Sequence, residues 1–215
     1  MGYFPVFVDL SKFNPLVIGG GEVATRKVKN LLEFGANPKI IAPELTQELE
    51  EIIVKHNLEF NRRKYQKGDL EGFNLIFVAT DDPALDEIVQ QEANERNAIV
   101  NFADKPEICN FIMPSYIKRG DLVIAISTQG KAPFLSRCLR ESLEKKFPEN
   151  FKDFVEIAAY FRTKLKEIKA KKNVQDKIID EFLSVKWLEI IEDDGIEFAQ
   201  LLVDQLIQYY ARKKE

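Results

Sequence analysis

The chain has 215 residues, 45% of them hydrophobic, enough to bury a sizeable core in one large or two modest domains. Its 31 basic and 35 acidic side chains leave a net charge of −4, which gives no electrostatic footprint for nucleic acid or an anionic membrane surface as partner. Cys109 and Cys138 stand far apart without metal-ligand spacing and read as free thiols of a reducing cytoplasm. No leader-like opening and no run of about 18 apolar residues is present, so a cytoplasmic protein is expected. The single histidine, His56, closes a polar helix before Asn57, and a histidine-built metal site is not expected.

Residues 3–10 place Phe4, Val6, Val8 and Leu10 at alternate positions, which predicts an edge strand. After a turn at 11–14, Pro15-Leu16-Val17-Ile18 is a short apolar strand that breaks into Gly19-Gly20-Gly21 and restarts as a helix through Glu22, Val23 and Ala24. Gly19 permits a sharp turn, Gly21 lets backbone N–H groups approach a pyrophosphate, and the small Ala24 lets the helix lie near the strand. The helix start then meets the phosphates with unpaired donors and partial positive charge. A glycine turn that merely joins strand to helix is the alternative. The strand before it and the apolar face Ala24, Val28, Leu31 and Leu32 after it, closed by Gly35 as a C-terminal cap, favour the nucleotide site.

Residues 37–42 form a second strand ending at Pro43-Glu44, which completes a right-handed strand–helix–strand crossover. Glu44 is a candidate for the ribose hydroxyls of a dinucleotide, and the lack of an arginine in this turn leans to NAD over NADP. It reads equally as the first-turn acid of a helix over 46–55. Residues 58–63 and 75–79 are a third and a fourth strand, the latter apolar enough to be buried on both faces. Thr80 stands where the fourth strand would meet the cofactor. Asp81 and Asp82 precede a helix over 84–96, which Asp82 caps and Pro83 opens. Residues 98–102 are a fifth strand, followed by Ala103-Asp104-Lys105-Pro106. Ligands of an open α/β sheet bind beyond the carboxyl ends of its strands, so Asp104 falls at the crevice; an Asx-type turn ahead of Pro106 is the equal alternative.

The pattern then changes. Strands over 111–114 and 122–127 flank a polar hairpin at 117–121, and a turn at 128–133 leads into a helix over 134–147. This block reads as a self-pairing dimer element, with an extension of the sheet as the alternative, because open strand edges invite a partner. Pro148 breaks the helix. Helices over 151–171, 174–183 and 190–211 follow, with polar turns at Lys172-Asn173 and Asp193-Asp194-Gly195. Phe154, Ile157, Ala158, Phe161, Leu165 and Ile168 recur at helical spacing as core, whereas Arg162, Lys164, Lys166, Lys169, Lys171 and Lys172 read as a solvated basic face.

Several motifs coincide in order: Phe4-Pro5-Val6-Phe7-Val8, Val17-Ile18-Gly19-Gly20-Gly21-Glu22-Val23-Ala24-Thr25-Arg26-Lys27, Ala79-Thr80-Asp81-Asp82, Asn101 with Asp104, Phe111-Ile112-Met113-Pro114-Ser115, and Ile126-Ser127-Thr128 with Gly130 and Pro133. Over residues 3–147 the sequence resembles precorrin-2 dehydrogenase, the module of siroheme synthases that oxidises precorrin-2 to sirohydrochlorin. Its helical tail is similar only in length and character. The resemblance implies an α/β fold with a Rossmann-like NAD-binding domain over 1–112, a small α+β dimerisation domain over 113–147 and a helical domain over 148–215. It implies a homodimer acting on a tetrapyrrole; the charge balance and the lack of a long apolar run leave neither nucleic acid nor membrane as an expected partner.

For the site, the resemblance implies that Asp104 is catalytic. A carboxylate there takes the proton that leaves as a hydride departs for NAD+, and it is a base for the pyrrole protons in members that also insert Fe2+ as ferrochelatases. Cofactor contacts are expected from Gly19, Gly20, Gly21, Glu22, Val23, Ala24, Pro43, Glu44, Thr80 and Asn101. Thr128, beside Ser127, falls where some relatives carry a regulatory serine, and both, with Lys131, Arg137 and Arg140, are the expected substrate contacts, the basic side chains serving the tetrapyrrole carboxylates. The methyltransferase half of fused siroheme synthases has no counterpart in these 24.8 kDa, so precorrin-2 is expected from a separate enzyme. Two alternatives stand beside this reading: a dehydrogenase served by a separate chelatase, and a non-catalytic module that senses NAD(H) or a tetrapyrrole.

Overall fold

The computed structural model describes residues 2–168 and 170–212 and divides into two compact units, Met1–Met113 and Pro114–Glu215. Lys169, part of the basic run, lies outside the described residues.

In the first unit β1 (Pro15–Ile18), β2 (Lys39–Ala42), β3 (Phe60–Arg62), β4 (Leu75–Val78) and β5 (Ile99–Phe102) form one parallel sheet in the order β3-β2-β1-β4-β5. The chain starts in the centre, winds outward to β3 and returns past β1 to β4. The winding therefore reverses between β1 and β4, and at such a switch point the flanking loops diverge and leave a crevice. Every residue of β1 and β4 is buried, because helices cover both faces. Val17, Ile40, Leu75 and Phe77 pack with Ala24, Val28 and Leu31 of α1 (Glu22–Glu33) and Leu49 of α2 (Gln47–His56). Leu16, Ile18, Ile76, Val78 and Val100 pack on the other side with Val89 and Ala93 of α3 (Pro83–Arg96).

The helix ends follow local chemistry. Gly35, at φ +78°, ends α1: its N–H donates to the Leu32 carbonyl and that of Ala36 to the Leu31 carbonyl, the paired bonds of a Schellman turn. Asp82 caps α3, its Oδ1 accepting from the N–H groups of Ala84 and Leu85. Thr46 caps α2, accepting from the Leu49 N–H, so the helix begins at Gln47 and its first-turn acids are Glu48 and Glu50. Glu44 lies outside that turn, which removes the first-turn reading of this residue.

Residues 3–10 are not a strand. They carry no regular structure up to a 3₁₀ turn at Leu10–Lys12, and Phe4, Val6, Phe7 and Val8 are exposed. Alternation makes a strand only where the segment pairs with an edge; residues 3–10 add to neither outer strand, β3 nor β5, and Pro5 has no N–H to offer a ladder.

In the second unit β6 (Ser115–Arg119) and β7 (Leu122–Ile126) form a separate two-stranded antiparallel sheet, not an extension of the parallel one. The strand expected at 111–114 and the turn expected at 117–121 are both displaced. Ile117 is buried within β6, Phe111 and Met113 pack into the core of the first unit, and the turn shrinks to Gly120 and Asp121. Gly120 supplies the positive φ of +57° that a two-residue hairpin needs. Helices α4 (Pro133–Lys146), α5 (Phe151–Glu167), α6 (Lys172–Ser184), α7 (Trp187–Asp194) and α8 (Ile196–Arg212) complete the unit. Arg119 Nε donates to the Phe147 carbonyl at 2.8 Å, tying the end of α4 to β6. Lys172 and Asn173 open α6 rather than forming a turn, whereas the turn expected at Asp193-Asp194-Gly195 falls at Gly195, φ +87°, where two helices meet, Asp193 and Asp194 belonging to the first. The first starts earlier, at Trp187, because its indole is fixed by burial and by donation to the Phe182 carbonyl at 2.7 Å. Ile157, Phe161, Phe182, Trp187, Ala199 and Val203 are the core of these helices.

Candidate functional site

Because all five strands run the same way, their carboxyl ends share one edge of the first unit. That edge carries the glycine turn after β1, Pro43 and Glu44 after β2, Thr80 after β4 and Asp104 after β5. The turn is built by close approach of backbones. A Cβ on Gly19 would sit 2.1 Å from the Ala79 carbonyl oxygen, at a φ of +120°, and one on Gly20 would sit 1.9 Å from the Glu44 carbonyl oxygen. Gly19 N–H donates to the Ile41 carbonyl and Thr46 N–H to that of Gly20. The turns after β1, β2 and β4 are thus interlocked, and Gly20 is as constrained as Gly19.

Gly21 differs. A Cβ there would meet nothing within 4 Å, and as N-cap of α1 it offers no side chain to the first-turn N–H groups of Glu22, Val23 and Ala24. Thr25, buried on that helix, donates its hydroxyl to the Gly21 carbonyl at 2.9 Å, and its oxygen lies 2.9 Å from that of Thr46. Each hydroxyl has one hydrogen. Thr25 spends its own on Gly21, so Thr46 donates to Thr25 and accepts from Leu49 N–H. Thr80 Oγ1 is buried without a partner among the described residues. An open, uncapped helix start on the same strand edge as an orphaned hydroxyl fits the diphosphate of a dinucleotide, which accepts hydrogen bonds and carries negative charge.

At the far side of β4, Asn101 of β5 points inward. It is 7% exposed, accepting from Lys27 Nζ at 3.0 Å through Oδ1 and donating from Nδ2 to the Phe111 carbonyl at 3.2 Å. Lys27, on the buried stripe of α1, also touches Met113 Sδ at 3.5 Å and lies 5.6 Å from the centre of the Phe77 ring. Burial pushes its ammonium down to about 8, the like charge of Arg26 adding to the effect and the charges of Cys109 and Asp104 opposing it. Spacing could have found it: with Ala24, Val28 and Leu31 on the sheet, residue 27 shares their face.

Asp104 is exposed in the turn after β5, and among the described residues its carboxylate has no hydrogen-bond or ion-pair partner, so no Asx turn forms. Its neighbours are anchored instead. Lys105 Nζ lies 2.7 Å from Asp86 of α3, and Cys109 Sγ accepts from Phe102 N–H at 3.1 Å and lies 3.2 Å from the Lys105 carbonyl.

The expected substrate contacts belong to the second unit. Ser127 Oγ accepts from Gln129 N–H at 2.9 Å, and Thr128 Oγ1 accepts from Ala132 N–H at 3.0 Å, so both hydroxyls shape the loop that leads into α4. Arg140 is engaged on its own helix with Glu144; Lys131 and Arg137 are exposed.

A parallel sheet whose switch point carries a glycine turn and an uncapped helix start defines a dinucleotide-binding protein. A family model described as "Putative NAD(P)-binding" matches residues 6–115, and the chain belongs to that family. It is 39% identical over 165 residues to a siroheme synthase of Photobacterium profundum and 34% identical over 208 residues to one of Photorhabdus laumondii. These matches take in 77% and 97% of the chain but 35% and 44% of the relatives, so the chain spans less than half of their length. Among solved structures it is similar to "SirC, precorrin-2 dehydrogenase", with a TM-score of 0.73 and 28% identity over 97% of this chain and all of that one. Among the described residues no helix is long and apolar enough to cross a membrane.

Proposed function

We propose that the protein oxidises precorrin-2 to sirohydrochlorin with NAD+ as acceptor. The observation that carries this reading is the uncapped start of α1 on the same strand edge as Asp104, in a chain alike over nearly its whole length to a precorrin-2 dehydrogenase. NAD+ bound at the glycine turn supplies the hydride acceptor. The N–H groups of Glu22, Val23 and Ala24 bind the diphosphate, Gly21 leaves the approach open, and Thr80 offers a hydroxyl. With the Pro43–Glu44 turn held against Gly20, the Glu44 carboxylate serves the ribose, which favours NAD over NADP. Loss of a hydride from carbon leaves the macrocycle to shed a proton, and the Asp104 carboxylate accepts it.

In the second unit Lys131 and Arg137 meet the substrate carboxylates, joined by Arg140 on release from Glu144, while Ser127 and Thr128 hold the loop. The 113–147 segment pairs with a second copy, a reading supported by the exposed Phe134, Leu135 and Leu139 of α4 and by the open edges of the β6–β7 sheet. A reaction that draws on the NAD+ pool belongs in the cytoplasm.

The test is optical. Protein, NAD+ and precorrin-2 should give NADH and the sirohydrochlorin spectrum together; NAD+ binding without either product would reject the dehydrogenase and leave a sensing module. Adding Fe2+ or Co2+ to sirohydrochlorin, against a protein-free control, separates a bifunctional enzyme from a dehydrogenase served by another chelatase.

A further inference from the structure

Lys27 is an expensive residue to keep. Its ammonium is half-buried against one amide oxygen, a thioether and an aromatic face, and among the described residues no carboxylate lies within ion-pair distance of it. A cation taken from water without a carboxylate partner opposes folding, so its place on an apolar helix face calls for a compensating role. The polar contacts beyond it run in one direction. Lys27 Nζ holds Asn101 Oδ1; Asn101 Nδ2 faces Cys109 Sγ at 3.7 Å; Cys109 Sγ is bonded to Phe102 N–H and faces the Lys105 carbonyl. Phe102 and Lys105 bracket the turn in which Asp104 sits.

We propose that Lys27 is a positioning residue of the oxidation: through Asn101 and Cys109 its ammonium couples the helix that begins at the glycine turn to the turn that carries Asp104. This rests on the function proposed above for the same site. Lys27 acts at a distance, on where Asp104 stands and on the field around it, and it does so as the protonated ammonium. The charged or titratable groups facing it are Arg26 from its own helix and Asp104 and Cys109 from the segment after β5; β4 presents only the Phe77 ring. Since Lys27 loses its proton near pH 8, its hold weakens over a pH range in which the protein can be assayed.

The experiment compares wild type, Lys27→Met and Lys27→Arg by amide hydrogen exchange, NAD+ titration and steady-state kinetics from pH 6.5 to 9.5, a range of about 1.5 units either side of pH 8. In Lys27→Met, exchange should quicken over 101–109 and nowhere else in the sheet. NAD+ affinity should stay within about two-fold, and kcat should fall about ten-fold or more with little change in KM for precorrin-2. The wild-type rate should decline as pH rises through about 8. That decline should be absent from both variants over this range, with kcat low throughout in Lys27→Met and near the wild-type plateau in Lys27→Arg, whose guanidinium keeps its proton, a pattern that a purely structural lysine would not produce. Unchanged exchange over 101–109, or a Lys27→Met enzyme with wild-type kcat, overturns the inference. Should wild type bind NAD+ but leave precorrin-2 unoxidised, the proposed function falls and the exchange comparison alone decides the coupling: faster exchange over 101–109 supports it, unchanged exchange refutes it.

Discussion

The Asp86 carboxylate, 5% exposed in the first turn of α3, is met 2.7 Å away by the ammonium of Lys105, the residue that follows Asp104. The other Asp86 oxygen is buried without a partner among the described residues. The pair is therefore asymmetric: Lys105 can turn into water if Asp86 is removed, whereas Asp86 cannot leave if Lys105 is removed. Lys105→Ala should lower Tm more than Asp86→Asn does, and both should reduce turnover while NAD+ titrates normally. Equal Tm losses, or turnover at the wild-type level in both, would contradict this.

The three glycines should separate folding from the cofactor binding proposed above. Gly19→Ala and Gly20→Ala force a Cβ onto the carbonyls of Ala79 and Glu44 and should unfold the first unit or lower its stability severely. Gly21→Ser should fold at least as well as wild type. A serine N-cap accepts from the first-turn N–H groups and stabilises the helix by up to a few tenths of a kcal/mol over glycine. In doing so it competes for the donors a diphosphate needs, so NAD+ affinity should drop about ten-fold or more by calorimetry.

Buried Glu92 gives a pH-dependent test of stability. It is 2% exposed and accepts from Tyr65 Oη at 2.6 Å, Gly68 N–H at 2.8 Å and Arg96 Nε at 3.1 Å. Burial alone would raise its pKa. The hydrogen bonds from Tyr65, Gly68 and Leu70 and the Arg96 charge outweigh burial and hold the carboxyl below its usual 4.5. A pKa lower in the folded than in the unfolded state contributes stability above the unfolded value and loses it as pH falls through the folded one. Tyr65→Phe should therefore cost about 1–3 kcal/mol in urea melts at pH 7. The gap to wild type should narrow below pH 4.5.

The second unit holds the only tryptophan of the chain, so it reports its own unfolding. Trp187 packs on Phe182, which stacks on Phe161 with ring centres 4.0 Å apart. Phe182→Ala should cost about 3–5 kcal/mol and shift the Trp187 emission to the red; a variant that keeps the wild-type emission and Tm would show that the stack contributes little.

Much of the first unit is legible in the residues. Runs such as Leu16–Ile18 and Leu75–Val78 leave no polar face, so they must be central strands, and Gly35, Pro83 and Asp82 mark helix ends by chemistry that needs no tertiary partner. Where the outcome depends on a partner, local pattern misleads. Residues 3–10 alternate well and pair with nothing, whereas β6 lies further along than its apolar start suggests because Gly120 fixes the hairpin turn. The start of α7 follows from an indole finding a carbonyl five residues back, which no periodicity encodes. Among the candidate residues, the glycine motif and Asp104 are visible in sequence; the hold on Asp104 by Lys105 and Cys109 is not, since it comes from contacts with α3 and across a short loop.

The hydroxyl chain from Leu49 N–H through Thr46 and Thr25 to the Gly21 carbonyl has one direction only, with every hydrogen committed. Its endpoint fixes the peptide plane at which α1 begins, so the amides on the outer side are already aligned before any anion arrives. On the function proposed above, the reorganisation that water would otherwise have to perform around an incoming diphosphate is completed when the chain folds.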